Sequence, residues 1–282
     1  MRQPIVIALL SGSVFLAACE DSSKASVSRA IDSVTAVDQQ NMAELMLAAG
    51  DPTEAVNFFA LQLENDPDNL TSLRGLARSL VRAGRVSEAL PVWRKTVAHP
   101  QAGHDDRVML ADTYIRANDW AQAEATLNEI PPTHESFDRY RLEAMIADSK
   151  QQWTRADHFY ETAAGLTTRP STVLNNWGFS KLTRGNPREA EALFNQALQH
   201  DPNMFTAKNN LALARAGQRN YSLPLVQMSQ EERAKLLYTM AIAAIRQGDT
   251  TIGRTLLAEA IDTHPRHYEE AVRAMRALEG QG

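Results

Sequence analysis

The sequence contains a single cysteine, Cys19. One thiol cannot form a disulfide within the chain, and a metal site would need ligands of other types. Basic residues do not outnumber acidic ones, since the formal net charge is −5 at pH 7, and no basic stripe is present. The electrostatic attraction that drives nucleic-acid binding is therefore missing, and we expect no nucleic-acid partner.

Aromatic residues are few, at 6% of the chain, and apolar residues do not alternate with polar ones over any useful length. Alanine is instead abundant in runs with helical spacing. This pattern predicts an all-α fold. With 282 residues, 44% of them hydrophobic, the chain is long enough to bury a sizeable core.

Catalytic motifs are also lacking. The sequence has no P-loop, no glycine-rich dinucleotide turn and no nucleophile elbow. The run His104-Asp105-Asp106 could suggest a metal site, but it opens a predicted helix, where acidic side chains interact favourably with the helix dipole. We therefore expect no metal, no cofactor, no small-molecule substrate and no enzymatic activity. An enzyme with its active site spread across several elements is the open alternative.

The N-terminus has the layout of a secretory signal. Arg2 precedes an apolar run from Ile5 to Leu16, and small residues follow. The run is too short for a comfortable transmembrane span, which needs about 20 residues. Its end, Leu16-Ala17-Ala18-Cys19, resembles the lipobox of bacterial lipoproteins, in which the signal is cut before a cysteine that carries lipid. The alternatives are an ordinary signal peptide, or a buried hydrophobic segment with an incidental cysteine.

The lipoprotein interpretation assigns residues 1–18 to the signal peptide and residues 19–35 to a lipidated, polar tether. Aspartate directly after the lipidated cysteine is the usual signal for inner-membrane retention in enteric bacteria. Glu20 occupies that place here, which favours the outer membrane. We expect the chain to be anchored by its lipid to the periplasmic face of the outer membrane.

A repeat pattern is clearest in TVLNNWGFSKLTRGNPREAEALFNQALQHDP, residues 172–202. Two amphipathic helices are predicted there. Gly178 and Ala190 are small where the helices cross, and Phe194 fills the gap beneath. This order matches the tetratricopeptide repeat, whose period is about 34 residues. Asn186 is placed to cap the second helix.

Three columns of this pattern recur at spacings of 33 or 34 residues. The first small position is held by Ala43, Ala77, Ala111, Ala144 and Gly178. The second small position is held by Ala55, Ala89, Ala123, Ala156 and Ala190. The large position is held by Phe59, Trp93, Leu127, Tyr160 and Phe194. Residues 36–204 are therefore predicted to form five tetratricopeptide repeats in a right-handed superhelix, whose concave face is lined mainly by the first helix of each repeat.

Residues 205–282 depart from the pattern. We predict a degenerate sixth repeat, an irregular loop near 218–229 around Pro224, a final helical hairpin and a capping helix. Ser229 is suited to start the helix after the loop, because an acidic residue follows three positions later. The capping helix is needed because the last repeat otherwise exposes its inner face.

The C-terminal third carries a closer resemblance. Its segments LNNWGFSKLTRGNPREAEALFNQALQHDP, KNNLALARAGQ and EERAKLLYTMAIAAIRQGDTTIGRTLLAEAIDTHP, together with the lipobox, resemble the TadD family of lipoproteins in tight-adherence (Flp) pilus systems. This resemblance implies a non-enzymatic factor that helps to place or assemble the outer-membrane secretin, with the secretin or other pilus components as partners. The alternative is a periplasmic adaptor for another envelope machine, such as cell-wall enzymes, a type IV pilus or barrel assembly.

An asparagine column suggests where a partner binds. Asn175 and Asn209 occupy equivalent positions in consecutive repeats, and so do Asn176 and Asn210. An amide can both donate and accept hydrogen bonds to a peptide backbone. With two apolar neighbours, the predicted partner-binding surface comprises Asn175, Asn176, Phe179, Leu182, Asn209 and Asn210. The alternative is that one asparagine of each pair bonds to neighbouring backbone and holds the repeats in register.

The lipobox generates a prediction about the mature chain. We expect the protein isolated from membranes to begin at a lipidated Cys19 and to lack residues 1–18. Intact-mass measurement of the detergent-extracted protein checks this. A mature chain that still carries its first eighteen residues would contradict the membrane anchor.

Overall fold

The computed structural model describes residues 41–48 and 50–280. The proposed signal peptide, the proposed tether and Cys19 lie outside the described residues, as does the beginning of the first predicted repeat. Within the two described stretches, no helix combines the length and the apolar character needed to cross a membrane.

Every regular element in the described residues is an α-helix, which confirms the all-α fold class. The helices α1 to α14 span, in chain order, residues 41–48, Pro52–Asn65, Leu70–Arg82, Val86–Ala98, His104–Arg116, Trp120–Asn128, Phe137–Ser149, Trp153–Gly165, Ser171–Thr183, Pro187–His200, Phe205–Gly217, Gln230–Arg246, Thr250–Thr263 and Glu269–Glu279. The chain divides into two compact units, Met1–Asp106 and Arg107–Gly282.

In the first unit, α3 packs against both α2 and α4. Phe59 is fully buried, and a Cβ built at Gly75 would lie 2.3 Å from its ring. Only glycine therefore allows α3 to approach α2 this closely.

Asp106, in the first turn of α5, accepts two 2.7 Å hydrogen bonds from the guanidinium of Arg74 on α3. This ion pair engages the carboxylate that the sequence had offered as part of a metal site.

The second unit is a succession of packed helix pairs. Helices α7 and α8, α9 and α10, and α12 and α13 form pairs, and each pair contacts the next element through α8–α9, α10–α11 and α11–α12. The first helices also touch one another, since α9 packs against both α7 and α11. Stacking of this kind gives each amphipathic pair the partner surface that it cannot supply alone.

The recurring small and large side chains lie in the interior of the units. No surface is exposed at the second small position in any predicted repeat: Ala55, Ala89, Ala123, Ala156 and Ala190. The large residues after them are at most 2% exposed: Phe59, Trp93, Leu127, Tyr160 and Phe194. Each large ring or chain therefore fills the space that the small residues leave where two helices cross.

The turns between paired helices share one backbone conformation in most repeats. Glycines at these turns have positive φ: Gly84 at 74°, Gly185 at 84° and Gly248 at 86°. Other residues take the same left-handed conformation after α5, α7 and α11: Asn118 at 61°, Gln151 at 58° and Arg219 at 57°. The turn geometry is thus retained without glycine, at some cost in strain for glutamine and arginine.

Residues 218–229 connect α11 to α12 without helical structure. Ser229 caps α12 through a capping box with Glu232, in which each side chain bonds to the other residue's backbone N–H. Tyr221 donates a hydrogen bond to Asp249, which ties the connection to the start of α13.

Asn186 differs from expectation: it occupies the N-cap position of α10, but its side chain makes no capping hydrogen bond.

The crossing of α9 and α10 generates a stability prediction. A Cβ at Gly178 would lie 2.6 Å from Cε1 of Phe194, so Gly178→Leu is expected to destabilise the protein by roughly 1–3 kcal/mol through overpacking. Thermal and denaturant unfolding measure the change. Gly165→Leu is the matched control, because a Cβ there meets nothing within 4 Å. Superimposable melting curves for Gly178→Leu and wild type would refute the crossing.

Candidate partner-binding groove

An open groove lies on the second unit, with a cavity volume of about 540 Å³. Its walls come mainly from α7, α9 and α11, which are the first helices of three successive repeats. The lining residues are Trp120, Met145, Asp148, Ser149, Trp153, Tyr160, Asn175, Asn176, Phe179, Ser180, Thr183, Thr206 and Asn210. The volume falls within the range of about 300–1,000 Å³ that is usual for ligand sites in proteins.

The rim of the groove is apolar and exposed. Phe179 on α9 is 50% exposed and Trp153 at the start of α8 is 36% exposed, although both are large hydrophobic residues. The indole of Trp153 also carries the guanidinium of Arg184 over its ring, at 5.4 Å from the centroid. Met145 on α7 adds a flexible apolar side chain between the repeats. Exposed apolar side chains that gather at one place, unlike single scattered ones, indicate an interaction site.

A carboxylate lies among the groove-lining residues. Asp148 accepts a 2.8 Å hydrogen bond from the hydroxyl of Tyr160 and another of 2.8 Å from the hydroxyl of Ser180. Burial raises the pKa of Asp148 above its ordinary value, even though both hydrogen bonds favour the ionised form. The same burial and the neighbouring Asp148 raise the pKa of Tyr160.

Two of the predicted asparagines bind each other. Asn210 Nδ2 donates a 3.0 Å hydrogen bond to Asn175 Oδ1, and the two residues are 7% and 5% exposed. The bond joins α9 to α11 across a repeat boundary. It gives these two residues a role in holding register, through a side-chain partner rather than the backbone partner considered in the sequence-based alternative.

The remaining predicted residues divide between the groove and the core. Asn176 lines the groove, half-buried, with its amide 3.9 Å from the sulfur of Met145. Asn209 accepts a 2.8 Å hydrogen bond from Thr239 and is not among the lining residues. Leu182 is a correction: it packs against the apolar cluster of α9, α10 and α11 and does not line the groove. It lies one turn after Gly178, on the side of α9 that crosses α10 at Phe194.

Sequence reasoning missed the residues that α7 and α8 contribute, above all Asp148. A signal was available in the repeat register. The position four residues after the first small position is apolar wherever else it occurs, and the residues there are Leu47, Val81, Ile115, Leu182 and Ala216. Asp148 is the one acidic residue in this column, and the exception falls where the groove lies.

Behind the groove, α9 is fixed to α8 by a second carboxylate. Asp157 accepts hydrogen bonds from Trp177 at 2.6 Å, from Lys181 at 3.1 Å and from Arg184. Burial would raise the pKa of Asp157, but these three hydrogen bonds outweigh it and the pKa is lowered. The ring of Trp177 also stacks on Tyr160, with centroids 6.3 Å apart. The walls of the groove are therefore held in place before any partner arrives.

The described residues show no group of three or more histidine, cysteine or acidic side chains placed to hold a metal ion. Asp148 and Asp157 instead have hydroxyl, indole and basic side chains as neighbours. These side chains can offer a bound molecule hydrogen bonds, apolar contact and charge.

Comparison with protein families identifies tetratricopeptide repeats in three parts of the chain. Models of the tetratricopeptide repeat match residues 46–94, 107–129 and 176–223. The fold defined by the helix pairs and their small-residue crossings is thus the tetratricopeptide-repeat fold. A search of curated proteins found no significant match.

Solved structures agree with this fold. A chain of the APC/C hetero-tetramer Cut9–Hcn1 aligns with a TM-score of 0.61 at 13% identity, covering 84% of this chain and 48% of that one. Human IFIT1, solved as a dimer with PPP-AAAA, gives 0.59 at 17% identity, covering 80% and 59%. A tetratricopeptide repeat protein from Parabacteroides merdae gives 0.55 at 14% identity, covering 86% and 98%. The present chain thus spans about half the length of the first two, and identities this low show the fold alone.

The Asn175–Asn210 hydrogen bond generates a prediction about stability. Asn175→Ala leaves the buried Asn210 amide without its acceptor and is expected to lower the free energy of unfolding by about 1–3 kcal/mol. Asn176→Ala is the control and should change it by no more than about 0.5 kcal/mol, since Asn176 makes only a long contact with sulfur. Chemical denaturation of both variants measures the difference. Equal stabilities would show that the buried bond does not hold the repeats together.

Proposed function

We propose that this protein is an interaction scaffold in which the groove between α7, α9 and α11 holds a segment of a partner protein. Tetratricopeptide repeats imply a protein–protein interaction scaffold and are typically non-enzymatic. The observation that carries the proposal is the exposure of Phe179 and Trp153 in one groove whose walls are already held by hydrogen bonds. A preorganised apolar groove binds with little ordering cost.

We further propose that the scaffold is a lipoprotein of the outer membrane that assists assembly or localisation of the secretin in a tight-adherence pilus system. The lipobox ending at Cys19 and the TadD-like segments of the C-terminal third support this role. Anchoring near the membrane would keep the groove close to a secretin during its insertion. An adaptor for another envelope machine has the same architecture and differs in its partner.

Nucleic acid fits this groove poorly. The solved IFIT1 structure contains PPP-AAAA, but that ligand carries phosphates. Here the groove contains the carboxylate of Asp148, and the whole chain has a net charge of −5. Both would repel a phosphate backbone. A protein segment is therefore the partner that the charge of the groove favours.

The test is photocrosslinking from within the groove in intact cells. Phe179 is replaced by p-benzoylphenylalanine, and the captured proteins are identified by mass spectrometry. We expect a secretin or another pilus component among them. Leu166→p-benzoylphenylalanine is the matched control, because Leu166 is 44% exposed in the same unit but does not line the groove.

The outcome distinguishes the proposal that the groove binds a partner from the proposal that this partner belongs to a pilus system. Capture of a cell-wall enzyme or barrel component from position 179 would favour the adaptor role and contradict the pilus role. Recovery of the same proteins at the same yield from positions 179 and 166 would contradict the groove as a binding site.

A further inference from the structure

We propose that the groove selects partner segments that carry an arginine or lysine side chain, with Asp148 as the counter-charge and the rings of Phe179 and Trp153 against the apolar stem of that side chain. This inference rests on the proposed function, since it specifies what the groove accepts. It assigns the specificity of the site to a residue that differs from its counterparts in every other repeat.

Among residues 41–48 and 50–280, no basic side chain forms a hydrogen bond or ion pair with Asp148. Both of its hydrogen-bond donors, Tyr160 and Ser180, are neutral hydroxyls. A carboxylate has about four lone-pair positions, so two donors leave it with capacity for more. At short range its charge is therefore stabilised by two hydrogen bonds alone, in surroundings where burial disfavours ionisation.

The nearby basic groups are already engaged. Arg184 bonds to Asp157 and lies over Trp153. Arg141 on α7 bonds to Asp112 and Asp138 at 3.0 and 3.2 Å. These arginines act on Asp148 or on its partner Tyr160 only through longer-range electrostatics. The negative charge of Asp157 opposes the effect of Arg184 on Asp148. Neither arginine bonds to Asp148 in the part of the chain that the structure describes, and we assign the cation that completes the site to the partner.

The layout of the groove suits an amphipathic cation. Arginine and lysine have an apolar stem and a charged end. The groove offers exposed apolar rings and a half-buried carboxylate among its lining residues. Aromatic faces also attract cations directly, by about 0.5–1 kcal/mol at exposed positions. Arg184 over Trp153 shows that a guanidinium is compatible with one of these rings.

Other occupants fit less well. A wholly apolar segment would remove water from Asp148 and supply no partner, which is costly for a carboxylate. An acidic segment would add a like charge. A segment with a cationic side chain satisfies the carboxylate and covers the rings together, so charge complementarity favours it over both.

The experiment is a selection of random displayed peptides against the full chain, purified in mild detergent. Peptides whose binding is weakened by Phe179→Ala are taken as groove binders. We expect these to share one arginine or lysine. Synthetic versions should bind about tenfold or more weakly when that arginine is replaced by citrulline, its neutral isostere, or that lysine by norleucine.

A double-mutant cycle assigns the effect to Asp148. Asp148→Asn should weaken the cationic peptide about tenfold and leave the citrulline or norleucine analogue nearly unchanged. Asp138→Asn is the matched control: it removes the same charge from the same helix at a residue outside the groove, 51% exposed at its side chain. Thermal melting verifies that each variant is folded.

The outcomes separate this inference from the proposed function. Groove-binding peptides without a shared cation, or equal effects of Asp148→Asn on charged and neutral peptides, would overturn the cation preference and leave the groove function standing. The citrulline comparison on the wild-type chain decides the point even where Asp148→Asn unfolds the protein. Failure to recover any peptide sensitive to Phe179→Ala would overturn both.

Discussion

The close crossing of two helices over a small residue is the constraint on which the rest of this structure depends. At Gly178 the helices α9 and α10 approach so closely that a single added carbon would overlap the ring of Phe194. The same arrangement of small and large residues recurs in the interior of each predicted repeat. Because proteins pack their interiors at crystal-like density, the large side chain must fill the space that the small one leaves. The hairpin is thereby given one geometry, and its outer face is set for the next hairpin.

Hydrogen bonds between side chains then hold neighbouring hairpins at fixed positions. Asn210 reaches Asn175 across 35 residues of sequence, and Ser180 reaches Asp148 across 32. Asp157 accepts hydrogen bonds from Trp177 and Lys181 of α9 and from Arg184, which directly follows α9. These bonds are buried or half-buried, so leaving any one of them unmade would cost more than an exposed bond contributes. The groove is consequently a rigid feature of the second unit, lined by residues from five helices.

Residues that maintain the fold and residues that are free to bind stand side by side on α9. Asn175 is occupied by Asn210, whereas Asn176, one position along, has only a long contact with Met145. Leu182 belongs to the core and Phe179 to the groove. A helix that packs on two sides leaves only a narrow exposed stripe for recognition. Successive residues point in directions about 100° apart, so neighbours in the sequence can take different roles. Asp148 belongs to that stripe on α7, and it replaces an apolar residue that the fold alone would have favoured.

The sequence by itself determined the helical class, the stride of the repeats, the helix-crossing residues and the irregular connection around Pro224, because these follow from local periodicity and side-chain size. It could not determine which asparagines are engaged or that Asp148 meets Tyr160 and Ser180, since those contacts join positions in different helices or repeats. The turn at Gln151 was also not recognisable from the sequence, because a left-handed conformation is adopted there without glycine. Only the tertiary structure decided these points, because stacking brings distant side chains within hydrogen-bonding distance and burial sets the charge that they can carry.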